Sequence, residues 1–157
     1  MQEKTKSNDW LKVSAGLNHT LALKNSGALW SFGLNAMGQL GNGTTSSTTS
    51  LSQEFTKMTD WKEIGAGVGT SFAIKTDGTL YSWGENRLII ENNETFSYSD
   101  QSKPIEIPGL SKAWKSLNIN NSNINILQND NGDIYRVDSP TTDNQFVYPT
   151  QILKRGF

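Results

Sequence analysis

Residues 16–43 read GLNHTLALKNSGALWSFGLNAMGQLGNG, and residues 67–84 read GVGTSFAIKTDGTLYSWG. The second stretch repeats the first. Trp10, Trp61 and Trp114 open three units, spaced 51 and 53 residues apart. Between the first two units the offset stays at 51 without a gap. Ala15-Gly16 corresponds to Ala66-Gly67, Leu21-Ala22-Leu23 to Phe72-Ala73-Ile74, Leu29-Trp30 to Leu80-Tyr81, and Phe32-Gly33 to Trp83-Gly84. The third unit, WKSLNINNSNINILQNDNGDIYRVD, needs one inserted residue and has lost the paired glycines. It keeps the Trp, the alternation Ile124-Asn125-Ile126, the Asn131-Gly132 turn and Ile134-Tyr135. Self-similarity at this period restricts a chain to stacked units that bury surface against their neighbours.

Each unit reads as four short strands. In the first, these are Lys12–Ala15, Thr20–Lys24, Ala28–Phe32 and a fourth near Gln53–Lys57. Later counterparts of the fourth fall near Pro104–Ile107 and Thr150–Leu153. The turns Asn25-Ser26-Gly27, Asp77-Gly78 and Asn131-Gly132 are hairpin signals, because these residues accept positive φ at little cost. Pro104 suits a strand start or edge, where a missing N–H is tolerated. Leu21 and Leu23 put bulk on one face of a strand whose other face carries Ala22, as expected of a sheet packed on both sides. A repeated unit of four strands and about 50 residues is the signature of a propeller blade. The expected fold is all-β: a partial β-propeller of three four-stranded antiparallel blades forming an open arc. It is expected to be one segment, 1–157, with units at about 10–60, 61–113 and 114–153.

Composition narrows the function. The 157 residues carry 14 Lys and Arg against 15 Asp and Glu, a net charge of −1. Such a chain has no electrostatic reason to seek nucleic acid or an anionic membrane. There is no Cys, which excludes disulfides and thiolate metal sites. The N-terminal MQEKTKSND is polar and does not read as a signal peptide. No apolar run approaches the ~20 residues of a membrane span. The compartment stays open.

The first unit also resembles the regulator of chromosome condensation repeat. The residues that carry the likeness are Ala15-Gly16, His19-Thr20, Ala22-Leu23, Gly27, Leu29-Trp30, Gly33, Asn35, Gly38-Gln39-Leu40-Gly41 and Gly43. Unit two departs from it, with Thr70-Ser71 in place of His-Thr and with Glu85–Glu91 lacking the Gly-Gln-Leu-Gly turn. Propellers of that family usually close with seven blades, and this chain holds three. The resemblance therefore implies two end faces without neighbours, and with them a fragment, self-association through the open blade faces, or a polar third unit acting as a cap. An ultraviolet-B photoreceptor branch of the family carries Trp after the Gly of the Gly-x-x-His-Thr run. Leu17 and Val68 stand there, which argues against light sensing.

No stretch assembles a nucleophile, a base and an orienting group, so no enzymatic chemistry, cofactor or metal is expected. His19, the lone histidine, reads as a blade residue bonded to backbone. Gly65-Ala66-Gly67-Val68-Gly69 lacks the Gly spacing and the Lys of phosphate loops and reads as a repeat turn. Asn129-Asp130-Asn131-Gly132-Asp133 has Leu127 where a calcium loop needs its first ligand, so it too reads as a hairpin turn. Trp30, Phe32, Tyr81, Trp83 and Tyr135 recur on one strand and read as packing between blades. The polar runs Thr44–Ser52 and Thr95–Lys103 read as flexible loops of the kind that carries binding residues. The expected function is a non-catalytic module for binding a protein partner. Phe55, Arg87, Phe96 and Tyr98 are its candidate anchors, because aromatic and Arg side chains dominate interfaces. The alternatives are guanine nucleotide exchange on a small GTPase, as the resemblance implies, or inhibition of a secreted enzyme.

Overall fold

A computed structural model describes residues 8–85, 100–107, 113–119, 124–138 and 150–154. Twelve strands follow one another: β1 (Trp10–Ala15), β2 (His19–Lys24), β3 (Leu29–Gly33), β4 (Thr48–Gln53), β5 (Trp61–Ala66), β6 (Thr70–Lys75), β7 (Leu80–Gly84), β8 (Gln101–Glu106), β9 (Trp114–Ile119), β10 (Ile124–Asn129), β11 (Ile134–Asp138) and β12 (Thr150–Leu153). They form three four-stranded antiparallel sheets in sequential order, β1–β4, β5–β8 and β9–β12. None closes on itself, and no helix occurs among the described residues. This is the open arc of three blades that the repeat demands.

The local chemistry is the same in each blade. The hairpin glycines Gly27, Gly78 and Gly132 sit at φ of 79°, 82° and 86°, where a β-branched or bulky side chain is strained. The pairing slips by one residue at Leu11, Lys62 and Lys115, the second residue of each unit. This bulge turns the leading Trp onto the same face as the next apolar positions, so Trp61 joins Ile64 and Ala66 in one cluster.

The blades lean on each other through that face. Leu21, Leu23 and Leu29 of blade one meet Trp61, Ile64, Ala66, Ala73 and Trp83 of blade two. Phe72, Ile74, Leu80 and Ile107 of blade two meet Trp114 and Leu127 of blade three, with Leu117, Ile119 and Tyr135 alongside. Large side chains on the leading face of one blade thus pack on the small residue and aromatics of the next. Trp61 and Tyr81 meet edge to face at 5.1 Å, and Trp114 and Tyr135 repeat the contact at 5.1 Å. Each such pair adds about 0.5–1.5 kcal/mol beyond its burial.

The fourth strand differs from expectation. In blade one it is Thr48–Gln53, inside the run read as a flexible loop, and not Gln53–Lys57. The cause is Glu54, which is fully buried. Its carboxylate accepts the N–H of Thr56 at 2.6 Å, the N–H of Met58 at 2.7 Å and the Thr56 hydroxyl. That ring of donors winds residues 54–58 into a turn, with Lys57 at φ 53°. In blade two the strand is Gln101–Glu106, so the end of the Thr95–Lys103 run is also strand. Pro104 lies in β8, the last strand of its sheet, where it breaks no ladder bond.

Candidate protein-binding surface

The Gly-Gln-Leu-Gly segment of unit one ties the first two blades together. Asn35 is fully buried and shapes the loop that contains it. Its amide donates to the carbonyls of Thr44 at 2.9 Å and Ser46 at 3.1 Å, and its Oδ1 accepts the N–H of Leu40 at 2.9 Å. So held, the loop lies across blade two. The Gln39 carbonyl accepts from Ser71 Oγ at 2.7 Å and from Trp83 Nε1 at 2.9 Å. The approach is close: a Cβ on Gly41 would stand 2.6 Å from Trp83 Nε1, and one on Gly84 would stand 3.1 Å from Gln39 Cα.

His19 joins the same seam, by a hydroxyl and not by backbone as expected. Its Nε2 lies 2.8 Å from Ser71 Oγ. Ser71 gives its own proton to Gln39, so the histidine must donate from Nε2, which leaves Nδ1 as a bare lone pair. Among the described residues Nδ1 is buried without a hydrogen-bond partner. Desolvation holds the His19 pKa down from 6.5 to about 4, so the ring is neutral at pH 7. Position 71, which sequence reading treated only as a departure from His-Thr, is therefore the hinge of an inter-blade network. The repeat could not announce it, because the partners lie 52 residues apart and on different blades.

Phe55 is exposed, at 49% of its surface, just past β4. Its N–H donates to the Gly41 carbonyl at 2.9 Å, while the Gly43 N–H donates to the Ser102 carbonyl of blade two at 2.8 Å. Lys103 Nζ stands 3.8 Å from the centre of the Phe55 ring. Such exposed cation–π pairs are worth about 0.5–1 kcal/mol. Arg87, Phe96 and Tyr98, the other candidate anchors, lie outside the described residues.

The remaining sequence candidates resolve as structure. Gly65 is in β5, and a Cβ there would stand 2.6 Å from Leu117 Cδ1 of blade three, so close packing explains the glycine. Asn129 and Asp133 bond each other across the β10–β11 turn, the Asp133 N–H donating to Asn129 Oδ1 at 2.9 Å. Among the described residues no three His, Asp or Glu gather as a metal site requires. No helix among them is long and apolar enough to cross a membrane.

The blade geometry, the bulged Trp and the Gly-Gln-Leu-Gly bridge define the class, and comparison with known proteins agrees. Models described as Regulator of chromosome condensation (RCC1) repeat match residues 10–39 and 61–88, and residues 26–74. The chain belongs to this repeat family. The X-linked retinitis pigmentosa GTPase regulator of Canis lupus familiaris is 41% identical over 76 residues, covering 47% of this chain and 8% of that protein. The ultraviolet-B receptor UVR8 of Arabidopsis thaliana is 31% identical over 104 residues, covering 60% of this chain and 21% of the receptor. Among solved structures, human WBSCR16 superimposes with a TM-score of 0.75 at 19% identity, over 97% of this chain and 40% of its own. Prp20p of Saccharomyces cerevisiae, described with its binding to Gsp1p and histones, gives 0.65 at 22% identity, over 83% of this chain and 32% of its own. The chain thus matches under a tenth of the GTPase regulator and about a third of Prp20p.

Proposed function

We propose that the chain is a non-catalytic protein-interaction module whose three repeat units act as one segment. The observation that carries this reading is Phe55, a large aromatic left half in water on a hydrogen-bonded turn, with Lys103 beside it. A ring fixed by neighbouring backbone loses little entropy when a partner covers it, which is what an interface anchor needs. Arg87, Phe96 and Tyr98 are proposed as further anchors for the partner. Similarity to Prp20p, described as binding Gsp1p and histones, supports a protein as the partner class. The test is affinity capture with immobilised chain, comparing wild type with Phe55→Ala and with a Phe96→Ala/Tyr98→Ala pair. Specific partners held by wild type should be lost or weakened about tenfold or more by these changes. Partners retained by every variant would refute the surface.

Guanine nucleotide exchange is the second reading, favoured by the likeness to a GTPase regulator and to Prp20p. Faster release of labelled GDP from a small GTPase in the presence of the chain would establish it over simple binding.

A further inference from the structure

The chain holds two Asn-Gly links, Asn42-Gly43 and Asn131-Gly132. Such a link has a chemistry of its own. The Gly nitrogen can attack the Asn side-chain carbonyl carbon, because no Cβ on the second residue blocks the approach. A C–N bond forms, the side-chain amide leaves as ammonia, and the cyclic imide so made takes up water. Opening at one carbonyl gives Asp. Opening at the other gives isoaspartate, with an extra carbon in the main chain. No enzyme or cofactor is needed. In a folded chain the rate depends on whether the amide and the Gly nitrogen are free to meet.

Both glycines sit at nearly the same φ, 84° at Gly43 and 86° at Gly132, so this angle does not separate the two links. Their hydrogen bonds do. At Asn42 both reacting groups are held. Nδ2 donates to Ser52 Oγ at 3.1 Å, and Oδ1 accepts the Thr44 N–H at 3.1 Å and the Thr44 hydroxyl at 2.8 Å. The Gly43 N–H donates out of blade one, to the Ser102 carbonyl of blade two at 2.8 Å. The Phe55 ring lies so close that a Cβ on Gly43 would overlap it. For the attack, the seam between blades one and two must first give up the Ser102 bond.

Asn131 lacks these ties. It is exposed at the β10–β11 turn, and among the described residues no hydrogen bond holds its side chain. Unit two shows the difference. There Asp77, in the same place, accepts the Thr79 N–H at 3.0 Å. In unit three the matching N–H, that of Asp133, goes to Asn129 Oδ1 at 2.9 Å, which leaves the Asn131 amide unengaged. The Gly132 N–H donates to the Asn129 carbonyl of the same turn at 3.0 Å. Breaking that bond moves a turn tip and no blade.

We infer that Asn131 and Asn42 are deamidation sites of opposite kind, Asn131 reacting in the native chain and Asn42 shielded until the seam opens. The products differ in consequence. Asp at position 131 reproduces what unit two already carries as Asp77. Isoaspartate at position 42 lengthens the main chain just ahead of the Gly43–Ser102 bond, and either product removes the amide donor to Ser52. Reaction there therefore keeps the seam from closing as before. The inference rests on amide chemistry and stands independently of the binding surface.

The test incubates the full chain in mildly alkaline buffer, folded and in concentrated urea, and follows the two Asn-Gly peptides by mass spectrometry with the Asp and isoaspartate forms separated. In urea the two links should react within about threefold of each other, since the fold no longer holds either one. In the folded chain Asn42 should react at least about tenfold more slowly than Asn131, as groups do whose reaction waits on local opening. Gly41→Ala, which sets a Cβ against the Trp83 indole, should raise the Asn42 rate above what the variant's globally unfolded fraction supplies, and leave Asn131 unchanged. Equal folded-state rates at the two links, or a faster Asn42, would overturn the inference. So would an Asn42 that stays slow in urea, since its protection would not then come from the fold. An Asn42 rate in the variant no higher than global unfolding supplies would remove the seam as the shield. If Gly41→Ala does not fold, the wild-type comparison decides by itself.

Discussion

Acidification should loosen the seam between blades one and two, and His19 sets the size of the effect. The folded ring has a pKa of about 4 against 6.5 for a free one, because burial disfavours the imidazolium. Well above pH 6.5 the ring is neutral in both states and contributes no pH dependence. As pH falls below 6.5 the unfolded chain takes up the proton and the native chain does not, so stability falls. The loss is complete once pH drops through the folded value. At ~1.36 kcal/mol per pKa unit the full loss is about 3 kcal/mol, and about 2 kcal/mol of it falls between pH 6.5 and 5. That is a large share of the 5–15 kcal/mol that typical domains possess. The structure gives the cause. Among the described residues Nδ1 has no hydrogen-bond partner and no carboxylate pairs with the ring. Urea titrations at pH 7.5, 6.5, 5.5 and 5 measure the slope, and a His19→Gln variant removes the titrating group while the carboxylates stay. The wild-type midpoint should fall by about 1 M between pH 6.5 and 5 in excess of the variant's fall. Parallel curves for the two proteins would refute the argument that a buried neutral His19 underlies the acid sensitivity.

Three further outcomes follow from the same contacts. Glu54→Ala strips the acceptor from Thr56 and Met58 N–H groups and should cost about 2–4 kcal/mol in urea or thermal unfolding, while Thr56→Ala alone should cost about 1 kcal/mol. Gly41→Ala places a Cβ against the Trp83 indole at φ 67° and should lower stability by about 2 kcal/mol or more, with a shift in Trp emission as the loop leaves blade two. Lys75→Met should cost more than Lys103→Met, because Lys75 pairs with Asp60 at 3.2 Å and lies over Trp61 and Tyr81. Lys103 faces only the exposed Phe55 ring among the contacts described for it. Differential scanning calorimetry of the two variants decides the order.

Particular residues show where sequence reading reached and where it stopped. The hairpins were legible because Asp77-Gly78 and Asn131-Gly132 encode positive φ locally, and the observed turns sit on them. The bounds of the fourth strand escape the sequence because a Thr- and Ser-rich run looks like a loop, whereas its pairing to β3 is set by a neighbour distant in sequence. Nothing local in the sequence marks Glu54, and only the turn that folds around it makes it a buried acceptor. Residue type alone makes Phe55 a candidate anchor; its exposure is a property of the folded turn after β4.

The sequence alone determined the number of repeat units, their central hairpins and their order, because each depends on intervals between side chains along one chain. The tertiary structure decided which faces meet. Whether Val13 and Ile64, equal in the repeat, lie in water or in a core depends on what stands beside them. So does the meeting of His19 with Ser71, since burial and hydrogen bonding across a seam are properties of two surfaces in contact and of neither sequence segment by itself.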